Sequence, residues 1–268
     1  STTKASAVSY MNAGRGNPNW VATEPREAFF LLGQFAVLEC KRVLDLPPGV
    51  GGMPRKEGVA ARLAAWLAKY DELPGAAVLA AMVPWAVREF GFDADAFVHE
   101  LVDSIIGDNY PVPDRMLVHN EKIVREYLQW AMCGTPRPKG SFELYAVEGG
   151  TAAMCYIFKS MKTNRLLNAG DTIALGTPIF TPYLEMPHLE DYDLKIVNIQ
   201  ATQENRWQFD DAELDKLLDP KIKAFFLVNP GNPSAVALSE KTIAKIGAIM
   251  RRLFPGLIWK QVHQVEGF

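Results

Sequence analysis

Short apolar runs alternate with helical segments in the second half of the chain, and this alternation restricts the fold more than any other feature. The helical segments cover residues 151–167 and 239–252. Strands that alternate with helices are joined by right-handed crossovers into a largely parallel sheet, which gathers ligands at the carboxyl ends of its strands. The sequence therefore predicts an α/β fold here, with strands at 144–147, 172–175, 194–199 and 224–228.

The first half of the chain has a different pattern, which predicts helices and loops. Helical periodicity runs through residues 27–44, 59–70 and 93–107, with a Pro- and Gly-rich interruption at 46–58. Either Asp93 or Asp95 is suited to cap the helix of 93–107. We therefore expect a helical N-terminal region at 1–140 and an α/β domain at 141–268.

Composition excludes several classes of function. The 268 residues are 49% hydrophobic and carry a net charge of −3, so the chain can bury a core but offers no concentrated basic surface for nucleic acid or anionic membranes. No apolar stretch reaches the length of a membrane span, and the N-terminus lacks the apolar segment of a signal peptide, which favours a cytoplasmic setting. The three cysteines and four histidines show no metal-ligand spacing, so we expect reduced thiols and no metal site.

A glycine-rich turn follows the first apolar run, in the stretch LYAVEGGTAAMCYIF. Gly149 and Gly150 would let the backbone approach a ligand, and a helix that begins at Thr151 would point free N–H groups at an anion. The Lys of a P-loop is missing. The turn therefore indicates either a phosphate site or a plain connection between a strand and a helix.

Two further motifs follow predicted strands. In LGTPIFTPYLEM, Phe180 could stack on a planar ligand or belong to the core. In LVNPGNPS, Pro230 and Pro233 stiffen a loop that presents Asn229 and Asn232, whose uncharged amides suit a polar ring substituent. A tight turn without a ligand remains the alternative for this loop.

These three motifs, in this order, resemble the large domain of the fold-type I pyridoxal-phosphate enzymes, the aspartate aminotransferase family. The resemblance implies a three-layer α/β domain, of which this chain is expected to carry only the first part. It also implies pyridoxal 5'-phosphate as cofactor. Carried over, Gly149, Gly150 and Thr151 would hold the phosphate, Phe180 would stack on the pyridine ring, and Asn232 would bind the 3'-oxygen.

Within that family, the stretches MNAGRGNPNW, GDNYPVP and FFLVNPGNPS are most similar to the aspartate 4-decarboxylase group. The resemblance implies β-decarboxylation of L-aspartate to L-alanine and CO2, some aminotransferase activity, and homo-oligomers built from dimers. Gly14 would belong to the substrate loop and Arg15 would grip a substrate carboxylate, while Tyr110 would reach the cofactor phosphate of a neighbouring subunit. The alternatives are a surface arginine and a packing tyrosine.

The chain departs from the family pattern in its last residues, PGLIWKQVHQVEGF. The family's Ser-x-Ser-Lys segment with the Schiff-base lysine has no match, and Lys260 lacks that context, so no catalytic residue is assigned. Two hypotheses follow. The chain is part of an aspartate decarboxylase, or it is a non-catalytic homologue that acts only as an oligomerising or phosphate-binding protein.

Overall fold

The computed structural model describes residues 21–46, 49–108, 114–135, 140 and 142–253. The chain forms two compact units, with the boundary between Ala146 and Val147. The first unit contains helices and the second contains a sheet with helices on both faces. The fold class expected from the sequence, a layered α/β domain preceded by a helical region, is confirmed.

The first unit is built on four helices that share one core. The α1 helix packs against α3 and α4, and α2 packs against the same two helices. Phe35 of α1 and Trp66 of α2 bring their rings to 5.6 Å between centroids. The helices predicted at 27–44, 59–70 and 93–107 are confirmed with shifted ends. Within the described residues of this unit, the helices are α1 Thr23–Val43, α2 Val59–Leu67, α3 Ala76–Phe90, α4 Ala94–Ile105 and α5 Val118–Cys133.

The two candidate caps of α4 have different tasks. Asp93 caps α4 itself, because its carboxylate accepts a hydrogen bond of 2.7 Å from the backbone N–H of Ala96. Asp95 instead accepts from the N–H groups of Gly58 and Ala60, at 2.7 and 3.0 Å, and so caps the neighbouring helix α2. These two backbone hydrogen bonds are the main reason that the pKa of Asp95 is lowered.

A buried carboxylate joins α1 to α2. Glu39 is 3% exposed and lies between two arginines, with 2.7 Å to the Arg62 guanidinium and 3.0 Å to that of Arg42. Burial raises the pKa of Glu39, but the hydrogen bonds and charges of Arg62 and Arg42 outweigh it and the net pKa is lowered. Arg62 also donates to the backbone carbonyls of Arg55 and Glu57, which fixes the loop before α2.

The second unit is a parallel three-stranded sheet with strand order β2-β1-β3. Three of the four predicted strands are confirmed, as β1 Thr172–Thr177, β2 Lys195–Gln200 and β3 Ile222–Phe226. The helices of this unit are α6 Gly150–Thr163, α7 Pro182–Glu185, α8 Asp211–Asp215 and α9 Glu240–Leu253.

The strand predicted at 144–147 is wrong for the described part of the chain, where this run pairs with no other strand. Side chains within this run and just before it make other contacts. The Arg115 guanidinium forms an ion pair with Glu143 and lies 5.2 Å from the centre of the Tyr145 ring. An apolar run becomes a strand only when a partner satisfies its backbone groups, and a pattern of four residues cannot show whether that partner exists.

Alternate residues of β1 point to opposite faces of the sheet and produce three layers. Ile173 and Leu175 face α6, where they share a buried cluster with Met154 and Phe158. Ala174 faces the other way and shares a second cluster with residues of α8 and α9. The Phe158 ring stacks on Phe226 of β3, with 4.9 Å between centroids and 8° between planes. This stacking stabilises the packing of α6 against the sheet.

The described ranges contain neither a candidate membrane span nor a candidate metal site. No helix there is long and apolar enough to cross a membrane. No group of His, Cys, Asp and Glu in the same ranges could hold a metal ion. Cys40, Cys133 and Cys155 are free thiols.

We predict that Glu39→Gln destabilises the chain by about 3 kcal/mol, because it removes the charge between two partly buried guanidinium groups. The folded-state pKa of Glu39 is lowered, so its contribution is fully present above about pH 5 and is lost as the pH falls through the folded pKa. Urea unfolding followed by tryptophan fluorescence at pH 7 and pH 4 should show a smaller difference between wild type and variant at pH 4.

The matched control is Glu89→Gln. Glu89 also pairs with an arginine, at 2.8 Å from Arg88, but both side chains are exposed. Solvent screening limits such a pair to about 0.5 kcal/mol. Equal losses in the two variants, or a pH-independent loss for Glu39→Gln, would contradict the role assigned to the buried carboxylate.

Candidate functional site

The turns that carry the three sequence motifs belong to one edge of the sheet. Because β1 and β3 are parallel neighbours, their carboxyl ends lie side by side, and the chain continues from them to Phe180 and to Asn229. Phe158, in the middle of α6, stacks on the last residue of β3. Since α6 leads into the start of β1, its N-terminal end is directed toward the same edge.

The first turn of α6 presents free backbone donors. Gly149 is its N-cap residue, with φ 149° and ψ 177°, a conformation that favours glycine. The first helical bond runs from the N–H of Ala153 to the Gly149 carbonyl, at 2.9 Å, so the N–H groups of Gly150, Thr151 and Ala152 point out of the helix. No side chain caps this end, and its first turn contains no acidic residue.

The surroundings of this turn suit an anion. Gly149 and Thr151 are exposed, and a Cβ atom built on Gly149 meets no other atom within 4 Å. Free N–H groups and the helix dipole favour negative charge at such an end. The turn can therefore accept a phosphate group, to which the Thr151 hydroxyl would add a further donor.

A pair of side chains beside this turn was not anticipated from the sequence. The Tyr156 hydroxyl donates to the Glu148 carboxylate, with 3.2 Å to each oxygen. The negative charge of Glu148 is the main reason that the pKa of Tyr156 is raised. The spacing of Glu148 and Tyr156 could have indicated this pair, because a residue just before a helix and a residue two turns into that helix can lie on the same side of it.

Phe180 lies directly after β1, where the chain passes through a cis Thr177–Pro178 peptide bond. Its ring is half-buried and packs against the cluster between α6 and the sheet. The chain then enters α7, which contacts α6. The core and ligand interpretations of Phe180 are thus compatible, because the packed side of the ring fixes its position and part of its surface stays accessible.

The loop after β3 gives its two asparagines different environments. The Asn229 side chain accepts a hydrogen bond from the N–H of Leu238, at 2.9 Å, and closes the loop. Gln208 fixes the far side, since it accepts from the N–H of Ser239 at 2.9 Å and donates to the Ala237 carbonyl at 3.1 Å. Asn232 is exposed, and its side chain forms no hydrogen bond with any described residue.

Gly14, Arg15 and Tyr110, the remaining residues singled out from the sequence, lie outside the described residues. Their functions stay predictions. The candidate site within the described residues is therefore limited to the Gly149–Thr151 turn, Phe180 and Asn232, and their binding functions also stay predictions.

Comparison with known proteins supports the resemblance drawn from the motifs. Residues 147–259 match the family model of aminotransferase class I and II. A bifunctional aspartate aminotransferase and L-aspartate beta-decarboxylase from Pseudomonas sp is 47% identical over 92% of this chain and 47% of its own length. An aspartate aminotransferase from Musicola paradisiaca is 32% identical over 30% of this chain and 20% of its own.

Among solved structures, an alanine aminotransferase from Pyrococcus furiosus is 29% identical, with a TM-score of 0.34, over 38% of this chain and 24% of its own. That likeness is too partial to bear on the fold. The chain spans about half the length of the Pseudomonas relative and less of the other one. Residues 147–259, which contain the glycine-turn, aromatic and asparagine motifs in order, belong to the class I and II aminotransferase family, whose members are pyridoxal-phosphate enzymes.

Proposed function

We propose that this chain supplies the phosphate- and ring-binding edge of a pyridoxal-phosphate enzyme that acts on L-aspartate. Its reaction is removal of the β-carboxylate to give L-alanine and CO2, with aminotransfer as a second activity. The observation that carries this proposal is the common sheet edge of the Gly149–Thr151 turn, Phe180 and Asn232. The choice of substrate is supported by the 47% identity to the Pseudomonas relative.

The described residues fit the proposed cofactor. Its phosphate needs several donors, which the first turn of α6 offers, and that turn itself contains no acidic residue. Its planar ring needs an aromatic partner held by packing, as Phe180 is. Its 3'-oxygen needs an uncharged donor, as the free amide of Asn232 is. The cofactor, when bound, supplies the electron-withdrawing chemistry, while these residues bind and orient it.

The proposal extends to residues outside the described ranges and to assembly. Arg15, with Gly14 beside it, would bind a substrate carboxylate by the two-pronged geometry of a guanidinium. Tyr110 would reach the cofactor phosphate of a neighbouring subunit. The enzyme would then be a cytoplasmic homo-oligomer built from dimers. The sequence offers no concentrated basic surface for nucleic acid or anionic membranes, and the three thiols are unpaired. Both observations support a cytoplasmic setting.

A second candidate function is phosphate or cofactor binding without catalysis. It rests on the described binding groups alone, which are the first turn of α6, the ring of Phe180 and the free amide of Asn232. We predict that borohydride reduction after incubation with pyridoxal phosphate labels several lysines sparsely, because a lysine captures the aldehyde selectively only where its amine is positioned and its pKa lowered. Intact-mass and peptide analysis measure the labelling. One stoichiometrically modified lysine together with alanine formation from aspartate would contradict this expectation.

We predict that Thr151→Val weakens binding of pyridoxamine 5'-phosphate about 10-fold, because one hydrogen bond to a charged group is lost. This ligand has an amine in place of the aldehyde and so cannot react with surface lysines. Calorimetry should compare it with pyridoxamine, which lacks the phosphate and should be insensitive to the substitution. Thr163→Val, at the opposite end of α6, is the matched control. Equal effects at Thr151 and Thr163 would contradict the proposal that the phosphate binds at this turn.

We predict that the two asparagines separate stability from binding. Asn229→Ala should lower the free energy of unfolding by about 1 kcal/mol, since the N–H of Leu238 loses its acceptor. Asn232→Ala should leave stability unchanged and weaken binding of pyridoxamine 5'-phosphate. Urea unfolding and calorimetry on both variants provide the measurements. A binding loss confined to Asn229→Ala would show that Asn232 is only a turn residue.

A further inference from the structure

The pair formed by Glu148 and Tyr156 lies beside the phosphate turn and has no place in the function derived so far. Glu148 directly precedes the N-cap residue Gly149, and its exposed carboxylate accepts from the Tyr156 hydroxyl through both oxygens. The inference drawn from this pair rests on the proposed function, because it concerns the same anion site.

An unrestrained Glu148 would be a competitor for that site. Helix N-termini attract carboxylates as well as phosphates, and the free N–H groups of Gly150 and Thr151 are one and two residues beyond Gly149. A glutamate in this position is tethered at a high local concentration. It would therefore occupy the donors for part of the time, and its charge would repel a phosphate dianion at close range.

Tyr156 provides the restraint. It is six residues after Gly150, so its Cα atom lies about 9 Å along the helix axis from the first turn. A tyrosine in a helix directs its side chain back toward the N-terminus. The hydroxyl thus meets the Glu148 carboxylate along the side of α6 rather than over its end. The nearby charge of Glu148 raises the pKa of Tyr156.

We propose that Tyr156 is a positioning residue, which holds the Glu148 carboxylate along the side of α6 and so keeps the Gly149–Thr151 turn open for the phosphate of the cofactor. Both residues act on the site indirectly, and neither touches the ligand. The arrangement makes the turn selective for an incoming phosphate over the chain's own carboxylate.

The pairing itself can be measured in solution without a ligand. Glu148→Gln removes the nearby negative charge, so the pKa of Tyr156 should fall relative to wild type. Tyrosine labelled with ¹³C at Cζ and assigned through Tyr156→Phe reports this titration by NMR. Glu190→Gln, an exposed glutamate of the same unit, is the matched control and should leave the titration unchanged. An unchanged Tyr156 pKa in Glu148→Gln would overturn the pairing.

The functional test is a double-mutant cycle on the full chain, with pyridoxamine 5'-phosphate and pyridoxamine as probes in calorimetry. Tyr156→Phe should weaken binding of the phosphorylated probe about 2- to 5-fold, the range expected for a carboxylate at a helix N-terminus. Glu148→Gln should bind it at least as tightly as wild type. The double variant should match Glu148→Gln, because Tyr156 has nothing left to restrain.

Other outcomes overturn the inference. An equal loss from Tyr156→Phe in both backgrounds would mean that Tyr156 contacts the ligand directly. A loss in Glu148→Gln would mean that the carboxylate supports the site. No loss in Tyr156→Phe would mean that Glu148 needs no restraint. If the wild-type chain binds the two probes equally, both the proposed phosphate site and this inference are wrong. If the wild-type chain prefers the phosphorylated probe, Thr151→Val reduces that preference and Tyr156→Phe has no effect, then only this inference is wrong.

Discussion

The packing of α6 against the parallel sheet is the contact on which the candidate site depends. Phe158 is 1% exposed and stacks on Phe226, and Met154 shares the same buried cluster. A close-packed core allows few alternative positions for such a helix. The first turn of α6 is therefore placed near the carboxyl edge of the sheet by side chains that are buried in the core. Deleting the Phe158 ring would cost about 3–5 kcal/mol and would also release that turn.

At this edge, the candidate binding groups are distinct from the groups that fix their positions. Asn229 closes its loop and leaves Asn232 with an unused amide, while Gln208 fixes the loop from the other side. Phe180 is oriented by the core that covers part of its ring. Groups fixed in advance lose less conformational entropy when a ligand binds, so this division favours affinity as well as orientation.

The helical unit combines an apolar core with buried or partly buried charges. Glu39 connects α1 to α2 through Arg62, and Asp95 of α4 caps the N-terminus of α2. Both carboxylates are satisfied by several donors, which is the condition under which a buried or partly buried charge does not destabilise a fold. The short helix α2, of nine residues, is thus held at its start by two other helices.

The sequence by itself determined the α/β class, three strands and the order of the binding motifs, because alternating apolar runs and glycine- or proline-marked turns are local signals. It could not determine whether 144–147 finds a partner strand, which of Asp93 and Asp95 caps which helix, or that Glu39 meets Arg62. Each of these depends on contacts between residues distant in the chain. Glu148 and Tyr156 are close in the sequence, yet their contact along the side of α6 depends on where α6 begins, which the structure shows to be Gly150. Tertiary structure decided these points because the packing of helices and strands determines which side chains are close enough to form a contact.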